Sequence, residues 1–135
     1  MNVKYALNLT KWDENVLDGF DKLFPISRVS TCFEIKGNTT GKFFVEYIMV
    51  YKKYDKKDQH NSKADYLGII EFNGTLDDKK GTFVIEDYGV YENSTVKSKL
   101  KIKENTGTGE LEKITGSGKY YADNGKFIIE LDYFL

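Results

Sequence analysis

The 135-residue chain carries 20 basic and 21 acidic side chains, a net charge of −1, and 40% hydrophobic and 15% aromatic residues. That apolar content argues against disorder, and the near-balanced charge gives no electrostatic reason to expect nucleic acid or a membrane as partner. The length predicts one domain over residues 1–135, able to bury a core without disulfides or metals. Ten Tyr and nine Phe against a single Pro favour strands, where aromatic side chains pack well on a pleated surface. Cys32 is the only cysteine, so no intrachain disulfide is available. The sequence opens without a leader-like apolar stretch, and no apolar run approaches the ~20 residues of a membrane helix. A cytoplasmic protein is the expectation.

Period-two alternation runs through the chain. Val3, Tyr5, Leu7 and Leu9 share one face of a first strand, followed by a turn-rich segment with a short helical turn around residues 16–20. Val29, Thr31, Phe33 and Ile35 line a second strand. The third, Gly41 to Lys53, is apolar on both parities, which predicts burial on both faces. A charged, lysine-rich segment over residues 52–63 precedes a fourth strand, Ala64 to Gly74. A turn over residues 76–81 leads into a fifth, Thr82 to Tyr88. In the sixth, Val96, Ser98, Leu100 and Ile102 face inward while Lys97, Lys99, Lys101 and Lys103 form a solvated comb that discourages edge pairing. A seventh strand spans Gly109 to Tyr121, with a bulge or bend expected at Gly116-Ser117-Gly118. Asp123-Asn124-Gly125 signals a hairpin, and Phe127, Ile129, Leu131 and Tyr133 form the inner face of an eighth. About eight strands joined by short turns predict an all-β fold, a single closed antiparallel barrel, because closure removes both sheet edges.

Gly81-Thr82-Phe83-Val84-Ile85 with Gly89, the Gly107-Thr108-Gly109-Glu110-Leu111 block, Gly116 with Gly118, and the terminal Leu131-Asp132-Tyr133-Phe134-Leu135 carry a family resemblance. So, more loosely, do Trp12-Asp13-Glu14, Arg28, Glu46-Tyr47-Ile48-Met49, Ala64-x-Tyr66-x-Gly68 and Phe72-x-Gly74. Together they resemble an uncharacterised bacterial domain-of-unknown-function family whose barrel is similar to allene oxide cyclases. The resemblance implies a β-barrel of small-molecule-binding shape and no inherited activity. The chain departs from the family pattern at Lys103-Glu104-Asn105 and in its lysine-rich loop after the third strand. The lipocalin G-x-W signature is absent, since Thr10-Lys11 precede Trp12.

No catalytic constellation or metal-ligand spacing emerges, and no cofactor is expected. His60 stands alone in the charged loop, and nothing near Cys32 in sequence would activate its thiol. Asp77 and Asp78 lack the spaced oxygens of a calcium loop. The Gly107–Leu111 block lacks the following helix and the G-K-[ST] element of a phosphate site, and reads as a turn. Arg28, the only arginine, has the planar fork to hold a carboxylate, with Glu46, Glu71 and Glu110 as candidate partners. Its parity, opposite Val29 and Phe33, weighs against an interior position. Tyr47, Tyr66, Phe83 and Tyr133 point inward as candidate ligand contacts, the phenols orienting one polar end of a ligand or simply filling the core. The functional expectation is therefore a small apolar or amphipathic ligand bound in the barrel. Two alternatives stand beside it: a cofactor-independent isomerase or cyclase, and a filled barrel acting through a homo-oligomer or partner interface along the third strand.

Overall fold

In the computed structural model, which describes all residues except 18, 20, 38–40, 59, 60 and 124, eight antiparallel strands pair in sequence order and close into a barrel. They are β1 (Asn2–Leu17), β2 (Ile26–Ile35), β3 (Gly41–Lys53), β4 (Lys63–Leu76), β5 (Lys79–Glu92), β6 (Thr95–Ile102), β7 (Thr115–Asp123) and β8 (Lys126–Phe134). Closure joins the first strand to the last, with Val3 opposite Leu131 and Leu7 opposite Phe127. Inward residues alternate with outward ones because successive side chains on a strand point to opposite faces. The pattern is cleanest in β3, where Phe43, Val45, Tyr47 and Met49 are buried and Phe44, Glu46, Ile48 and Val50 are exposed. Burial on both faces of this strand, expected from its apolar parities, is thus not realised within one chain. The lysine comb of β6 does face solvent.

Three local departures from the expected elements have physical causes. The strand pairs β4–β5 and β5–β6 reach closer together than their turn residues suggested. Asp77 (φ 47°) with Asp78 (φ 66°), and Asn93 (φ 53°) with Ser94 (φ 62°), form two-residue loops in the left-handed region that matches strand twist. β7 begins at Thr115 and runs in unbroken register with β8, so the bulge expected at Gly116–Gly118 is absent. Register shifts occur instead at the end of β3 against β4, between Tyr51 and Lys53, and in β1, whose register against β2 shifts between Leu9 and Lys11. One extra residue reverses the parity beyond it. Beyond the shift Trp12, Glu14 and Val16 turn toward the barrel mouth. Of the helical turn expected at residues 16–20, Val16 and Leu17 belong to β1, while Asp18 and Phe20 lie outside the described residues.

The two ends of the barrel differ. At the lower end, where β4 turns into β5, the chain after β6 folds back along β5. Lys103 N–H donates to Val84 O (2.9 Å) and Thr108 N–H to Thr82 O (2.8 Å). A single 3-10 turn, Gly109–Leu111, then drives Leu111 and Ile114 into the opening, where both are buried. The glycines of this block serve close backbone approach: a Cβ on Gly81 would stand 2.1 Å from Thr108 O, and one on Gly107 1.9 Å from Leu111 O. Above the plug, Phe72 stacks on Phe43 (ring centroids 5.0 Å) and meets Phe83 edge-on (5.1 Å). Fully burying each such ring contributes about 1.5–3 kcal/mol.

Candidate ligand cavity

The upper half of the barrel is built from tyrosines seated on glycines. Gly68 lies between Tyr47 on β3 and Asp87 on β5 in the strand register, and Gly89 lies between Tyr66 on β4 and Ser98 on β6. A Cβ on Gly68 would meet Tyr47 Cδ1 at 2.3 Å, and one on Gly89 would meet Tyr66 Cζ at 2.2 Å. Each phenol therefore lies flat across a bare backbone and reaches a polar group one strand further on. Tyr47 Oη donates to Asp87 Oδ2 at 3.0 Å, and the Tyr66 and Ser98 hydroxyls hydrogen-bond each other. The two rings meet edge to face, with centroids 4.8 Å apart.

Asp87 is the exceptional residue of this layer. It is 0% exposed, and among the described residues its Oδ1 is the one buried side-chain polar atom with no hydrogen-bond partner. Burial pushes its carboxyl up to about 6, with the Ser98 and Tyr47 hydroxyls opposing that rise. Burial likewise raises the Tyr47, Tyr66 and Tyr120 phenols above their ordinary value, so all three stay protonated at neutral pH. A carboxyl that titrates near neutrality beside three protonated phenols can accept or donate a proton or a hydrogen bond.

Above these rings the barrel is hollow. A cavity of about 80 Å³ has Phe33, Tyr47, Tyr66 and Tyr120 among its walls. It shares Leu9, Trp12, Met49, Tyr91, Val96 and Phe127 with a wider vestibule of about 530 Å³, so the two are continuous. The vestibule lies within the ~300–1,000 Å³ range of small-molecule pockets. Glu14 lines it, accepting from Ser27 Oγ (2.8 Å) and Tyr51 Oη (2.6 Å). The opening exists because β8 pairs only with residues 2–7 of β1, leaving the rest of β1 free on that side.

The residues expected at a site divide into three groups. Tyr47 and Tyr66 line the cavity. Phe83 and Tyr133 are buried in the lower half, where Tyr133 donates to Asp77 at the β4–β5 turn. Arg28, Glu46, Glu71 and Glu110 are not brought to the interior. The guanidinium of Arg28 and the Glu46 carboxylate pair on the outer face at 3.5 Å, and Ser30 Oγ donates to Glu46 at 2.5 Å, which with Arg28 lowers that carboxyl. Glu71 is exposed on β4, and Glu110 accepts from Lys80 N–H at 3.2 Å. Even positions on β2 and β3 and odd positions on β4 face outward, which removes Arg28 as an anchor inside the barrel. Cys32 is a half-buried free thiol, and His60 lies outside the described residues. Asp87, Ser98 and Tyr120 were not singled out. The usable signal was an acid within the inward row Phe83, Ile85, Asp87, Gly89 of β5. Among the described residues no group of three His, Cys, Asp or Glu side chains could hold a metal ion, and no helix is long and apolar enough to cross a membrane.

A closed eight-stranded antiparallel barrel, plugged below and open above, defines the structural class. The chain belongs to the family described as protein of unknown function (DUF3224), whose model matches residues 4–133. Its fold is similar to the crystal structure of a protein of unknown function from that family from Shewanella oneidensis MR-1. The TM-score is 0.78 at 17% identity, covering 100% of this chain and 96% of the other. No curated protein matches the sequence.

Proposed function

We propose that this protein binds a small apolar or amphipathic molecule in the upper half of its barrel. The observation that carries the reading is the asymmetry of the interior: packed rings and a plug below, a largely aromatic cavity open to solvent above. Titration with Nile red, a neutral apolar dye, tests it. Saturable binding is expected in the native protein and lost in Ala122→Trp, which fills the vestibule from β7. Dye binding that is absent from the native protein, or unchanged in the variant, would contradict the reading.

Asp87 favours a second reading, a cofactor-independent isomerase or cyclase, by analogy with allene oxide cyclases. A carboxyl poised near 6 beside protonated phenols is a suitable general base at neutral pH. Fold-level likeness lends it no chemistry of its own. Mass spectrometry of any small molecule retained through purification, followed over time with native protein and Asp87→Asn, separates carrier from catalyst. Conversion by the native protein alone supports the enzyme. The free thiol of Cys32 accords with a cytoplasmic location. Exposed Phe44, Ile48, Leu67 and Ile69 on the outer face of β3 and β4 support a homo-oligomer. Sedimentation of native protein against Ile48→Glu tests that assembly.

A further inference from the structure

Two acidic groups belong to the interior above the packed half, and they lie at its two ends. Asp87 is fully buried beneath the tyrosine rings with Oδ1 unpartnered, and Glu14 stands in the vestibule wall. Among the described residues lining the cavity and the vestibule there is no lysine or arginine, although the chain has 20 of them. The basic side chains of β6 point outward, and Arg28 is paired with Glu46 on the outer face. A buried carboxylate with one oxygen unpartnered and no cation beside it is costly, because the interior lacks the dielectric of water. A positive charge brought into the same space relieves that cost, whereas a negative charge adds to it.

The walls between the two carboxylates point the same way. Trp12, Phe33, Tyr91, Tyr120 and Phe127 surround the space, and the negative face of an aromatic ring attracts cations, most strongly where water is excluded. We propose that the cavity selects an organic cation, an amine or quaternary ammonium group on an apolar body, over a neutral or carboxylate-bearing molecule of the same shape. This rests on the binding reading and adds the charge class of the ligand.

Three matched probes test it: phenylpropylamine, phenylpropanol and phenylpropanoate, each displacing Nile red from native protein, Glu14→Gln and Asp87→Asn. The amine is expected to bind at least about ten-fold more tightly than the alcohol in native protein, with the carboxylate weakest. Either substitution should shrink the preference for the amine over the alcohol. Glu14→Gln, at the mouth, keeps the test decisive if Asp87→Asn does not fold. Equal affinity of amine and alcohol, or tightest binding of the carboxylate, overturns the charge selection while leaving the cavity reading intact. Nile red that fails to bind native protein at all overturns both.

Discussion

The lower and upper halves of this barrel share one alternating pattern and reach opposite results. Below, the inward residues Phe43, Phe72, Phe83 and Leu131 are large and buried, as are the plug residues Leu111 and Ile114. Above, inward positions include Ala64, Gly68, Gly89, Ser98 and Ala122, and the phenols laid over the two glycines leave a hollow beyond them. Period decides which residues face inward, and the size of those residues decides whether the interior fills. Stability should therefore reside mainly in the lower half and binding in the upper.

The strongest break of that division is Phe72→Ala, which opens a cavity among stacked rings. It should cost about 3–5 kcal/mol in urea unfolding while dye affinity of the folded fraction is retained. In the upper half, Asp87→Asn should act through pH. Burial raises this carboxyl from 3.8 to about 6, so the folded state holds the proton more tightly than the unfolded chain. The resulting contribution to stability is present below the ordinary value and is lost as pH rises through 6. Tyr47, Tyr66, Ser98 and Tyr120 face it from β3, β4, β6 and β7, and none titrates in that window. The variant should thus gain on native protein between pH 4 and pH 7, by up to roughly 3 kcal/mol. A gain in the opposite direction in pH-resolved unfolding would count against the buried charge. Gly89→Ala sets a methyl against the Tyr66 ring and the Ser98 hydroxyl, so it should cost about 1–3 kcal/mol and weaken dye binding. Arg28→Lys, on the outer face, should alter stability by no more than about 0.5 kcal/mol and leave dye affinity unchanged.

Much of the scaffold was legible because it depends on local periodicity. The bounds of β3, the inward row of β2 and the outward lysines of β6 all follow from alternation alone. Parity also placed Arg28 outside. The site was less legible because it is assembled across strands. Tyr47 meets Asp87 only through a register that sets both opposite Gly68, and no single segment carries that information. The mouth depends on the β1 irregularity between Leu9 and Lys11, which turns Trp12 and Glu14 toward the interior with no glycine to announce it. The vestibule needs one further fact, that β8 stops pairing with β1 at Leu7.

The contrast between the halves is tested most directly by intermolecular nuclear Overhauser effects from a bound neutral probe, phenylpropanol, to assigned methyl groups. Contacts should reach Met49, Val96 and Leu9, which line the upper cavity, and should be absent from Leu76, Ile85 and Leu131 in the packed half. Contacts confined to outer-face methyls such as Ile48 and Leu67, or spread into the lower core, would contradict the account.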